Sequence, residues 1–269
     1  MRIDLHTHTD HSFDCRIPIE ELIRTAEKNR LDAIAICDHD TMSAIGIAEK
    51  ISDRILIIPG MEMSCENGIH IVGLFLKGEI VSKNILDVID EIHSQGGLAL
   101  LPHPFRPNSG LLYGRYKNGL LSGEETGKAL SKVDLIEAVN FRCPGEAMLE
   151  PDRYLKSYPG LPQVAVSGAH TVSEVGRAFL ELENFKPVTI GDIKMALLHT
   201  PCLLRFEVYN PEVGIETRKI IIPSLGRKLI WKAKRVFHLP SRISTKRIFR
   251  KSPERPIKDL ERETNEKSR

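Results

Sequence analysis

Short apolar runs alternate with amphipathic stretches along most of the chain. Ile3–Leu5, Ala33–Cys37, Ile55–Ile58, Leu98–Leu101, Leu135–Val139, Val164–Val166 and Ala178–Leu182 are seven runs of strand type, and Ile69–Phe75 reads as a flanking strand. A helix predicted over Pro18–Asn29 puts Ile19, Leu22, Ile23 and Ala26 on one face, with Pro18 in its first turn and Glu20 and Glu21 at its start. Met42–Ile51 has the same periodicity. A third helix is expected to be capped by Ser82, to bury Ile85, Val88, Ile89 and Ile92, and to stop at Gly96-Gly97. A fourth begins at Thr189. Strands separated by such helices predict a parallel sheet with helices outside. Seven strands fit a closed or distorted barrel, and an open doubly wound sheet fits the pattern nearly as well. Polar residues recur just after successive strands, which favours the barrel, because its strand ends converge on one face.

Composition adds limits. A hydrophobic share of 41% in 269 residues is that of a globular chain. No apolar run approaches the roughly 18–20 residues of a membrane span. The start Met1-Arg2-Ile3-Asp4 does not read as a signal-peptide core, and the five cysteines form no CxxC pair, so a reducing cytoplasm is the expected setting. The formal charge of +2 conceals an asymmetry. Residues 1–209 hold 21 basic and 29 acidic residues, a net of −8; residues 210–269 hold 17 and 7, a net of +10. An acidic body of 1–209 followed by a basic extension of 210–269 points to an anionic partner for the extension.

The candidate chemistry lies in the body. His6-Thr7-His8 follows the first strand, and alternate residues of an extended segment point the same way, so both imidazoles reach one ion. Asp14 follows in the next loop. Asp38-His39-Asp40 comes after the second strand, Glu62 after the third, His70 eight residues on, His103 after the fourth and His170 after the sixth. Six of ten histidines thus stand at or near strand ends. With Asp14 and Glu62 they form a nitrogen and oxygen donor set suited to Mn, Zn or Fe.

The ordered motifs Asp4-Leu5-His6-Thr7-His8-Thr9, Cys37-Asp38-His39-Asp40-Thr41, Pro59-Gly60-Met61-Glu62, His70-Ile71-Val72-Gly73, Pro102-His103-Pro104 and Ala169-His170-Thr171 resemble those of the PHP family, the polymerase and histidinol phosphatase domains. The resemblance covers about residues 1–207. It implies an α/β fold, a distorted (β/α)7 TIM-like barrel, with two or three divalent ions at the strand ends. It also implies a hydrolase in which a metal-bound hydroxide attacks a phosphate ester. By motif position, His6 and His8 hold the first ion, Glu62 bridges the first and second, His70 and His103 complete the second, and Asp14, His39 and His170 hold the third. One position departs: the family reads Ser-Asp-Ala-His where this chain has Ser167-Gly168-Ala169-His170, and that Asp is a ligand of the first ion. The first ion would then keep His6, His8 and Glu62 with an open position, which is a catalytic set in itself; the alternatives are weaker affinity at that site and a dinuclear centre. A large gain in metal affinity in Gly168→Asp would show that the lost ligand matters.

Glu62 and His103 are the expected catalytic groups, with Arg106 as a bidentate phosphate clamp. Asn140 can position substrate at most. Asp38 is expected to orient a ligand histidine. Cys15 and Cys143 read as packing residues, His11 as solvated, and His93, His199 and His238 as structural. The segment Pro107–Thr126 is expected to be a long loop over the site. In the extension, Ser224–Leu239 has the pattern of a basic amphipathic helix, suited to nucleic acid, an anionic membrane or the acidic body, and the rest is polar with little periodicity. Three functions fit: hydrolysis of a nucleotide phosphomonoester or an oligonucleotide end, histidinol-phosphate hydrolysis, or a degenerate non-catalytic module, for which Gly168 is the main support.

Overall fold

The computed structural model describes residues 1–113, 121–143, 161–187, 189–199, 202–210 and 214–222. The chain divides into two compact units, Met1–Ala233 and Lys234–Arg269, and the fold below is that of the first. The elements are β1 (Arg2–Thr7), α1 (Ile19–Lys28), β2 (Ala33–Ile36), α2 (Ile45–Ile51), β3 (Leu56–Ser64), β4 (His70–Leu74), α3 (Ile85–Ser94), β5 (Leu98–Leu101), α4 (Gly123–Lys132), β6 (Leu135–Asn140), β7 (Gln163–Val166), a 3-10 turn (Val172–Glu174), β8 (Ala178–Glu181), α5 (Ile190–His199), β9 (Cys202–Asn210) and β10 (Gly214–Ile222).

The sheet runs in the order β10-β9-β8-β1-β2-β3-β4-β5-β6-β7. The chain leaving β7 returns to β1: Gly168 N donates to His6 O at 2.9 Å, His8 N to Ala169 O at 3.1 Å, and Thr7 pairs with Ala169 in parallel. These bonds bring the seven strands β1–β7 into a nearly closed, distorted α/β barrel. β2 shows how sequence selects this packing. Its Ala33 and Ala35 face the barrel cluster with Ile3 and Leu5, while Ile34 and Ile36 meet Leu22, Ile23 and Ala26 of α1. Both faces of a parallel strand are buried, so the run is continuously apolar.

Two strands differ from expectation. Ile69–Phe75 supplies a wall strand, since β4 lies antiparallel between β3 and β5. The turn from Ser64 to His70, with Gly68 at φ +75°, is too tight for a crossover helix, so the two strands form a hairpin. Ala178–Leu182 supplies β8, which lies outside the barrel, antiparallel on β1. The stretch 167–177 before it cannot hold the helix of a parallel crossover.

The third helix is capped by Asn84, whose Oδ1 accepts from Leu86 N at 3.0 Å; Ser82 instead donates its N–H to Glu91. α4 begins inside the expected loop. Ser122 and Glu125 form a capping box that starts it. Beyond Tyr209 the sheet continues, as β10 pairs with β9 from Gly214↔Asn210 to Ile222↔Cys202. The tip of the expected loop, 114–120, and the expected helix 224–239 lie outside the described residues. Among the described residues no helix is long and apolar enough to cross a membrane, and Cys15, Cys37, Cys65 and Cys143 are free thiols.

Candidate metal centre

β1 ends at the barrel mouth and delivers His6 and His8, both fully buried. The strand ends that surround it add His39, Glu62, His103 and His170, and β4 opens with His70. Glu62 is the hub. Its Oε2 meets His6 Nε2 at 3.1 Å, His8 Nε2 at 3.2 Å and His39 Nε2 at 3.5 Å. Its Oε1 meets His70 Nδ1 and His103 Nε2, each at 2.9 Å. Asp14 Oδ2 stands 2.9 Å from His170 Nε2 and 3.5 Å from His39 Nε2. All eight residues expected as ligands therefore converge.

The donor atoms of His8, Asp14, His39 and His170 lie within 4.8 Å of one another, as do those of His6, His8 and Glu62, and those of His39, Glu62 and His70. These overlapping groups fit divalent cations on two counts. Imidazole and carboxylate are the right donors. Hydrogen bonding alone also leaves the cluster unsatisfied, because the buried Nδ1 atoms of His39 and His103 have no partner among the described residues.

The charges are strongly coupled. Burial acts to strip the His6 imidazolium, but the carboxylates of Glu62 and Glu137 outweigh it and hold its pKa up to about 10. Burial pushes His8 down to about 3, so it is a neutral donor. Burial likewise acts to raise Glu62, yet the His6 charge and hydrogen bonds from His103, His6 and His70 hold it well below the usual carboxylate range. Burial raises the Cys15 and Cys143 thiols to about 11, so neither is a thiolate nucleophile near neutrality.

Sequence reasoning missed Glu137. It sits in mid-β6 and is 1% exposed. Its Oε1 takes His6 Nδ1 at 2.6 Å, and its Oε2 takes His103 N at 2.5 Å and Asn140 Nδ2 at 2.9 Å. One carboxylate thus fixes the ring of His6 with Nε2 facing Glu62, and also holds the backbone of His103. That backbone is in the left-handed region at φ +22°, a strained conformation that needs outside support. The available signal was a lone charge inside an apolar strand, Leu135-Ile136-Glu137-Ala138-Val139.

Asp38 does not touch a ligand ring. It accepts from the N–H and the hydroxyl of Thr9, each at 2.6 Å, and so ties down the turn that carries His8. Asn140 holds Glu137 and accepts from Cys143 N at 3.1 Å. It also fills the space beside Gly168, where a Cβ would stand 2.6 Å from Asn140 Oδ1; Gly168 itself has φ +59°. Arg106 is half-buried on a tightly wound loop, with its N–H bonded to His103 O at 2.8 Å. Its guanidinium has no side-chain partner among the described residues. Arg142 is bound to both oxygens of Glu174 at 3.0 Å. His11 bonds Ser43, and His93 bonds Asp134, both away from the cluster.

A barrel that gathers six imidazoles and two carboxylates at one mouth has the donor set of a metal-dependent hydrolase. The chain belongs to the PHP domain family, whose model matches residues 4–158, and it is a metal-dependent phosphoesterase of that family. An uncharacterised protein of Methanocaldococcus jannaschii is 30% identical over 186 residues, which cover 68% of this chain and 71% of that protein. The 5'-3' exoribonuclease Rnm of Escherichia coli is 46% identical over 78 residues, 26% of each chain. Among solved structures, a two-domain protein of Bacteroides vulgatus containing a predicted PHP-like metal-dependent phosphoesterase superposes with a TM-score of 0.57 at 15% identity, covering 84% of this chain and 88% of that one.

Proposed function

We propose that the protein hydrolyses a phosphomonoester of a nucleotide, or a phosphate ester at an oligonucleotide end, with two or three Mn, Zn or Fe ions. The observation that carries this is Glu62. Its two oxygens face two separate sets of imidazoles, the arrangement of a carboxylate shared by neighbouring ions. His6 and His8 would hold one ion with Glu62, His70 and His103 a second, and Asp14, His39 and His170 a third. Bound ions would supply Lewis acidity and a water of lowered pKa for attack on phosphorus.

The chain's own residues set the rest. Glu137 fixes the donor face of His6. Glu62 stays ionised and links the histidine sets. Arg106, whose guanidinium has no side-chain partner among the described residues, would receive a phosphoryl oxygen. The raised thiols leave attack to water. The nucleic-acid side of the reading is supported by the 26% stretch shared with an exoribonuclease. Histidinol phosphate would need the same chemistry, and a substrate profile separates the two.

The test is a hydrolysis screen of nucleotides, bisphosphonucleotides, short RNA, histidinol phosphate and a generic phosphate ester, with metal analysis of the same sample. Turnover of nucleotides or RNA ends, lost on chelation and regained with Mn or Zn, is expected. Metal-replete protein that turns over none of them would sink the reading and leave a non-catalytic module.

A further inference from the structure

A cavity lined by cations lies outside the metal centre. About 640 Å³ in volume, it opens on the flank of the barrel between the end of α1, the 3-10 turn and the β8–β10 edge. Arg2, Lys28, Arg177 and Arg205 line it, against a single lining carboxylate, Glu207. The remaining pairings leave positive charge over. Arg2 and Arg205 share one carboxylate, that of Glu181. Arg177 is paired with Glu207 at 2.5 Å. Lys28, exposed in the last turn of α1, has no ion-pair partner among the described residues. Such an excess of cations is notable in a body that holds 29 acidic and 21 basic residues over 1–209.

Two further features narrow the ligand. The Arg2 guanidinium lies 5.4 Å over the half-buried Phe179 ring inside the same cavity. With Arg2 covering that face of the ring, the cations carry the recognition: guanidinium and lysine groups take the phosphates of a strand, and the outer plane of the Arg2 guanidinium is left for a base. One edge of the rim approaches the chemistry, while Arg2, at the opposite end of β1, stands four residues, about 13 Å along the strand, from His6. Ser173 lines the cavity and stands three residues after His170, at most ~11 Å along the chain. Glu174, next in sequence, accepts from His170 N and Thr171 N at 2.9 Å, so the link between centre and cavity is a fixed turn.

We infer that this cavity is a non-catalytic subsite for the backbone of a single-stranded nucleic acid whose end occupies the metal centre. It rests on the proposed nucleic-acid substrate and adds a place for the rest of the strand. A strand running over the 3-10 turn meets the cationic cavity next; a mononucleotide in the metal centre does not reach it.

The test uses the full-length, metal-loaded protein and an Arg2→Gln/Lys28→Gln double variant, with Lys28→Gln alone as the form that leaves the Arg2 contacts intact. Binding of single-stranded oligonucleotides of rising length, to about 12 nucleotides, is followed against salt, beside hydrolysis of a mononucleotide and a generic ester. The double variant is expected to bind the longer strands about tenfold more weakly at low salt. Its log–log salt slope should fall by about 0.7 for each cation removed, the single-strand value. Hydrolysis of the two small substrates should stay at the wild-type level. Long-strand affinity and salt slope equal to wild type in both variants would overturn the subsite, even with hydrolysis intact. A mononucleotide that weakens in step with the long strands would also overturn it, because the cavity would then hold a small ligand. If wild type hydrolyses nothing, the catalytic reading fails on its own arm, and the length dependence of binding still decides the cavity.

Discussion

Gly168 is the residue at which chain and family part, and the structure changes what its absence of a side chain means. Asn140 occupies the neighbouring space, so an Asp at 168 cannot simply supply the missing ligand. Gly168→Asp should lose about 2 kcal/mol from crowding and left-handed strain, without tighter metal binding. Removing the obstruction in Gly168→Asp/Asn140→Ala should restore part of that stability and raise metal affinity above the single variant. Denaturation and chelator competition read both effects, and tight binding by the single variant would show that Asn140 yields freely. Glu137 is the converse case, a residue present but unnoticed. Glu137→Gln keeps the shape but weakens the hold on His6, so metal affinity should fall about 10–100-fold. An unchanged metal content under chelator challenge would count against that role. Most of the candidate ligands were legible because they stand in polar motifs just after an apolar run, as His6, His8, His39, Glu62, His103 and His170 do; Asp14 lies in a loop and His70 opens β4. Glu137 was not, because β6 is apolar on both sides of it and a single sequence does not say which partner satisfies a buried carboxylate.

At the scale of elements, helix ends were read nearly to the residue where a periodic face met a clear stop, as at both ends of α1 and the C-terminal end of α3, whose cap, Asn84, lies two residues beyond the expected Ser82. Strand order was less accessible. Nothing local in Ile69–Phe75 marks it as barrel wall, nor in Ala178–Leu182 as an outer edge; connection length decided both. The 3-10 turn is the element with most consequence for the site. Glu174 binds Arg142 and takes the N–H groups of His170 and Thr171. Glu174→Ala should therefore destabilise the fold by about 1–3 kcal/mol through those unpaired donors. It should also lower metal retention, because the backbone of His170 loses its anchor. Wild-type metal content beside a lowered melting temperature would restrict Glu174 to a structural part.

At the scale of the molecule, metal loading of the proposed centre should be linked to folding. The ligands come from positions as far apart as His6 and His170, so ions that bind the assembled cluster bind only the folded chain. At an ion concentration of about 1,000 times Kd each ion adds about 4 kcal/mol. For a domain of this size each kcal/mol moves the melting temperature by about 2–4 °C. Chelation should therefore lower Tm by roughly 8–16 °C for each ion removed, and a melt indifferent to chelator would contradict a resident ion.

The basic end of the chain acts on a different quantity. Residues 234–269 hold 12 basic and 5 acidic residues, a net of +7, and form a unit separate from Met1–Ala233. Charge of that density adds affinity for a polyanion through counterion release, with no dependence on sequence and none on the geometry of the metal cluster. Truncation after Ala233 should thus leave the melting temperature and hydrolysis of a generic ester near wild type. Binding of single-stranded nucleic acid should weaken and its salt dependence should become shallower. The flank cavity and the basic end then separate by experiment: loss of the end should weaken strands of every length, whereas loss of the cavity cations should weaken only strands long enough to pass Ser173. Equal salt slopes before and after truncation would show that the +7 unit does not meet the strand, and would leave the anion contacts to the barrel alone.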